Sequence, residues 1–103
     1  MRDLGEAANL LRRDRFGVLI CFRYLNRELL PLMFRAIAPG GYLIYETFLS
    51  YQAEIGRTPR KRSRLLNPGE LHAASSGFEV LEYCEGPDRA GDWLASLVAK
   101  RPE

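Results

Sequence analysis

The chain has 103 residues, 47% of them apolar, 11% aromatic and 27% charged. This composition excludes disordered, collagen-like and low-complexity chains and fits one domain, residues 1–103, around a single core. With 15 Lys+Arg against 13 Asp+Glu, the formal charge is only +2, so the distribution of charge matters more than its sum. The length is too short for a complete nucleotide-binding α/β domain, which needs several strand–helix units. No apolar run approaches the ~18 residues of a membrane span, and no signal-peptide pattern opens the chain, so a soluble, cytoplasmic protein is expected.

Residues 5–13 (GEAANLLRR) are rich in helix formers. Phe16 to Phe22 (FGVLICF) is an unbroken apolar run of strand length, the pattern of a strand that wants cover on both faces. Asn26 is placed to cap a helix running to Ile37, with Leu29, Leu30, Met33, Phe34 and Ile37 as its apolar stripe. Pro31 is tolerated only near a first turn, so the regular helix begins nearer Leu29. Pro39-Gly40-Gly41 is read as its stop, and Tyr42 to Phe48 (YLIYETF) as a second strand, parallel to the first through a right-handed crossover.

Residues 49–66 read as irregular, polar and basic. Asn67-Pro68-Gly69-Glu70 then supplies a helix start, and that helix ends by Gly77. Phe78 to Cys84 and Trp93 to Lys100 alternate apolar and polar residues around GPDRAG, an antiparallel hairpin. The fold expected is α/β: a mixed sheet of about four strands, a parallel pair plus a C-terminal hairpin, with flanking helices. Cys21 and Cys84 sit far apart within apolar stretches and are expected as buried thiols rather than a disulfide.

The run FGVLICFRYLNRELLPLMFRAIAPGGYLIYETF resembles the fourth strand, following helix and fifth strand of class I S-adenosylmethionine-dependent methyltransferases, tellurite-resistance-like branch. The Gly56-Arg57 loop, LLNPGEL, FEVLEYCEG and the last strand resemble that branch's C-terminal end, in the same order. The resemblance thus implies the C-terminal half of a partial Rossmann-like methyltransferase fold. S-adenosylmethionine is the implied cofactor, and methyl transfer to a small-molecule acceptor the implied activity. It also implies cofactor contacts at Asp3, Leu4, Phe22, Arg23 and Tyr24, and acceptor contacts at Tyr24, Asn26, Glu46, Thr47 and Phe48. The family's glycine-rich cofactor loop has no counterpart in the chain, so independent catalysis is not expected.

Each of these residues has a plainer role beside the functional one. Phe22 and Tyr24 can simply pack at a strand end. Arg23 and Glu46 can form a structural ion pair across adjacent strand ends. His72 is the single histidine, with no partner at ligand spacing, so a surface position and no metal site are expected. Arg57, Arg60, Lys61, Arg62 and Arg64 make a basic segment, read first as a solvated loop. A segment folding over the acceptor site to select an anion is the second reading, and a nucleic-acid contact the third.

In the family's sheet the fourth strand pairs with the first, so FGVLICF stands here as an open apolar edge. A homodimer through residues 16–22 is therefore expected. The alternative to an enzyme is a non-catalytic, oligomeric or partner-binding version of the fold.

Overall fold

The computed structural model describes residues 10–103. Residues 5–9 of the helix expected over 5–13, and the positions Asp3 and Leu4, lie outside the described residues. Four strands form one sheet in the order β1-β2-β4-β3: β1 Phe16–Phe22, β2 Ile37–Phe48, β3 Glu79–Pro87 and β4 Trp93–Lys100. β1 and β2 run parallel, while β4 is antiparallel to both β2 and β3. The helices are short: α1 Leu30–Arg35, α2 Tyr51–Glu54 and α3 Glu70–Ala74, with a 3₁₀ turn at Arg62–Arg64. The mixed sheet expected from the sequence is the one observed.

The Pro-Gly-Gly segment plays a different part from the one expected. The helix stops earlier, at Arg35, where the Ala36 N–H bonds back to the carbonyls of Leu32 and Met33 at 3.0 and 3.2 Å. Pro39, Gly40 and Gly41 instead belong to β2, as a bulge beside β1. The register passes from Phe16↔Ile37 to Val18↔Tyr42, so a step of two on β1 spans five on β2. Gly40, at φ +80°, and Gly41 keep pairing across the bulge: Gly40 N–H donates to Arg101 O at 2.9 Å, and Arg101 N–H to Gly41 O at 2.8 Å. The Arg101 guanidinium also bonds Ile37 O at 2.7 Å and pairs with Asp14. The extra residues are invisible to a turn rule, because they remain hydrogen-bonded as strand.

Alternation on the strands decides where the core sits. Leu43, Tyr45 and Thr47 of β2 face the same side as Leu97, Ala95 and Ala99 of β4, and all are buried. Leu29, Leu30, Met33 and Phe34 around α1, with Leu66 and Leu71, close over that face. Phe34 meets Phe78 edge-on, ring centroids 5.1 Å apart. The opposite face carries Val18, Ile20 and Phe22 of β1, which stay 53%, 56% and 58% exposed. One face of the apolar strand is covered and the other is open, where the sequence pattern asked for both. Cys84 is likewise exposed, against expectation, because it lies on β3 opposite Ser96 on that same outward side.

Gly41 marks a point of close approach. A Cβ placed there would sit 2.7 Å from Gly17 O and 2.9 Å from Ala38 O, backbone atoms that cannot swing aside. Gly41→Ala is expected to destabilise the chain by about 2–4 kcal/mol in urea unfolding. Gly17→Ala, which meets nothing within 4 Å, is the control and should shift stability by less than ~1 kcal/mol. Equal midpoints for the two variants would remove the close approach as the reason for this glycine.

Candidate functional site

The carboxyl ends of the parallel strands β1 and β2 open onto a cleft of about 1060 Å³. In open α/β sheets this is the end at which ligands bind. Its walls are Arg23 to Glu28 on one side, Phe48 below, and Thr58, Pro59, Lys61, Ser63 and Arg64 on the other.

The first wall is shaped by a sharp exit from β1. Arg23 has φ +58°, the left-handed region, which costs a residue with a Cβ about 1–2 kcal/mol. Three contacts hold it there. Its N–H continues the strand ladder to Glu46 O at 2.7 Å. Its guanidinium lies 5.1 Å over the Phe48 ring and 3.7 Å from carboxylate oxygens of both Asp88 and Asp92. The ion pair expected with Glu46 does not form, because the hairpin turn brings Asp88 and Asp92 nearer. Glu46 accepts from Ser96 Oγ at 3.1 Å instead. One residue on, the buried Tyr45 hydroxyl donates to Tyr24 O, and the Cys21 thiol reaches the same oxygen at 3.9 Å. Burial pushes the ionisation of both Tyr45 and Cys21 up, favouring the protonated hydroxyl and thiol.

Asn26 then makes the turn that leads into α1. Its side-chain oxygen accepts from Glu28 N–H at 2.9 Å and Leu29 N–H at 3.3 Å. The expected Asn cap is thus present, one turn ahead of the regular helix.

The opposite wall is the basic segment expected as a solvated loop; it is exposed, and two polar side chains tie it to the rest of the fold. Gln52, on α2, is fully buried. Its amide nitrogen donates to Thr58 O at 2.9 Å and Asp92 Oδ1 at 2.8 Å, and its oxygen accepts from Trp93 N–H at 2.8 Å. Arg27 is the second. It binds Glu70 bidentately at 2.7 and 2.9 Å and also donates to Leu65 O at 2.7 Å. Glu70 in turn accepts from Asn67 N–H at 3.0 Å, the reaching-back half of a capping box. The Asn67 side chain, expected as the cap, donates to Glu70 rather than capping, and Gly69 takes the capping position.

These contacts set the charge state of the site. The Arg27 guanidinium holds Glu70 below its ordinary 4.5, and the Gln52 amide followed by Arg57 holds Asp92 below 3.8. Both folded-state values are depressed, so their stabilisation is present above the ordinary carboxylate range and is lost as pH falls below it.

Of the residues singled out by sequence, the cleft gathers Arg23, Tyr24, Asn26 and Phe48. Phe22 points to the open face of the sheet, and Glu46 is engaged with Ser96. Thr47 is buried in the core and does not line the cleft. His72 is exposed, with its ring edge-on to Tyr83 at 5.1 Å. Among the described residues no group of three His, Cys, Asp or Glu could hold a metal ion, and no helix is long and apolar enough to cross a membrane. Arg27 and Gln52 were missed, since their partners lie about 40 residues away in sequence.

No known family model matches the chain, and no curated protein matches it either. Solved structures do. TehB from Haemophilus influenzae superposes on 98% of this chain with TM-score 0.70 at 19% identity. The N-methyltransferase NodS from Bradyrhizobium japonicum WM9 covers 94% with TM-score 0.66 at 12%. A SAM-dependent methyltransferase from Methanosarcina mazei covers 93% with TM-score 0.62 at 17%. The chain spans 40%, 57% and 64% of those three proteins. It therefore has, in part, the Rossmann-like α/β fold of S-adenosylmethionine-dependent methyltransferases.

Gln52→Leu keeps the volume but strands Trp93 N–H and Thr58 O, so it is expected to cost about 2–4 kcal/mol in chemical unfolding. A variant as stable as the parent would mean that water replaces the amide and that the loop is not held by it.

Proposed function

We propose that the chain is the acceptor-side, C-terminal half of a methyltransferase of the tellurite-resistance-like branch. Its activity would be S-adenosylmethionine-dependent methyl transfer to a small molecule. The observation that carries this reading is the cleft at the carboxyl ends of β1 and β2, in a fold shared with such enzymes over nearly the whole chain. S-adenosylmethionine, when bound, supplies a methyl group on a sulfonium, open to direct displacement. Catalysis of such a step rests on proximity and alignment. Arg23, Tyr24 and Leu25 form the strand-end turn that would meet the cofactor's methionine end, while Asn26 and Phe48 would meet the acceptor. These residues fit that side of the site. Glu28 is the single carboxylate among the residues lining the cleft, and the resemblance assigns it no part in holding the cofactor's ribose.

Titration of the 103-residue chain with S-adenosylhomocysteine separates the activity from its absence. We expect weak binding, at or above ~1 mM by calorimetry, because the described residues offer one wall of a cofactor site. Micromolar binding would show that the chain grips the cofactor unaided. Complete absence of binding, even by NMR at millimolar ligand, would leave the non-catalytic version of the fold.

A second reading concerns assembly and rests on the stripe Val18, Ile20 and Phe22, exposed on an edge strand. We propose that a second copy of the chain packs against β1, stripe to stripe, burying these side chains about a two-fold axis. Sedimentation at micromolar concentration should give a dimer, and Ile20→Lys should give a monomer with an unchanged fold. A parent chain that sediments as a monomer ends this reading.

A further inference from the structure

The charge of the cleft points to the class of acceptor. Four cationic side chains line it: Arg23, Arg27, Lys61 and Arg64. Arg23 lies against Asp88 and Asp92, and Arg27 is committed to Glu70 and to backbone carbonyls. Lys61 and Arg64 are different. Neither has an ion pair or a side-chain hydrogen bond among the described residues, although their backbones are fixed by the 3₁₀ turn, Arg64 N–H to Lys61 O at 2.9 Å. The single carboxylate among the lining residues is that of Glu28. Two unneutralised cations therefore oppose one anion in a concave site, where like charges reinforce one another's field.

The remainder of the lining is apolar or aromatic: Tyr24, Leu25, Phe48 and Pro59. Pockets of this make-up bind a ligand's apolar body by its surface and fix its orientation with a few charged groups. The wall is also held before any ligand arrives. Arg27 bonds the carbonyls of Ser63 and Leu65, the residues on either side of Arg64, and Gln52 bonds that of Thr58, three residues before Lys61. A wall fixed in this way loses less entropy on binding than a free loop.

We propose that the cleft takes a small organic anion, an apolar or aromatic body bearing one carboxylate-like head, held by Lys61 and Arg64 with its body against Phe48 and Tyr24. Naming this ligand the methyl acceptor rests on the methyl-transfer reading above; its binding does not. Both cations are exposed, so affinity is expected to be modest and to fall as salt rises.

The test uses the full chain and three probes in parallel NMR titrations: phenylacetate, its neutral amide phenylacetamide, and acetate. Phenylacetate is expected to shift the amides of Leu25, Phe48 and Thr58 saturably. It should bind roughly tenfold or more tighter than either other probe, each of which lacks half of the recognition. The double substitution K61Q/R64Q touches no internal contact and should abolish the preference for phenylacetate over its amide while leaving the spectrum folded. Equal binding of acid and amide, shifts outside the cleft, or a preference that survives K61Q/R64Q would each overturn the proposal. S-adenosylhomocysteine is titrated separately. Its binding without anion preference sinks this inference and leaves methyl transfer standing. Anion preference without its binding does the reverse.

Discussion

The arrangement of the cleft depends on one guanidinium. Arg27 stands at the turn after β1 and takes hold of α3 through Glu70 and of the segment before α3 through two carbonyls. The pair with Glu70 is partly exposed, 39% and 26% on the two side chains, so its Coulombic part is worth no more than about 1 kcal/mol. Its larger effect is geometric. A planar fork with several donors fixes direction as well as distance, which a lysine at this position could not do. Three separate stretches of chain, around residues 27, 64 and 70, are thereby brought to one side of the strand ends.

The other constraint is strain at Arg23. A residue with a Cβ in the left-handed region is held there only when its surroundings over-determine it. Here the ladder bond to Glu46 O, the Phe48 ring and the carboxylates of Asp88 and Asp92 all converge on it. Asp92 is shared with Gln52 and Arg57, so the turn after β1, the basic segment and the hairpin turn form one connected polar network. Arg57 and Arg60, counted from sequence as part of a solvated basic run, are used within the fold: Arg57 binds Asp92 and Ala90 O, and Arg60 binds Gly56 O. Within the run, Arg57 and Arg60 are bound into the fold, while Lys61 and Arg64 line the cleft.

What the sequence revealed follows from the range of the forces involved. The four strands and the parallel pairing of the first two were legible, because hydrophobic periodicity and crossover rules act over a few residues or through topology alone. The Asn26 turn, Pro31 near a first turn, and the pairing of β3 with β4 were legible for the same reason. The Pro-Gly-Gly bulge was not, since it depends on Arg101, some 60 residues away, to complete its hydrogen bonds. Gln52 looks like any polar residue on a short amphipathic stretch; only Trp93 and Asp92, from the far end of the chain, make it a buried hub. Arg23 was rightly placed at a strand end, but its partner was misjudged, because Glu46 is its neighbour in the ladder while Asp88 and Asp92 are neighbours in space. The cleft's position was thus readable, and its charge balance was not.

The two open surfaces of the molecule differ in what completes them. Among the described residues, Val18, Ile20 and Phe22 expose an apolar stripe that gains by being buried. The cleft has both walls and its floor built from this chain, tied by Arg27, Gln52 and the Arg23 network. The cleft is therefore formed whether or not the stripe on β1 is covered. This separation has a physical consequence for any activity. Lys61 and Arg64, proposed to hold the ligand's head, line the cleft, whereas Val18, Ile20 and Phe22 do not. The proposed selectivity for an anion and the proposed self-association through β1 thus draw on different residues, so a substitution can remove either while leaving the other.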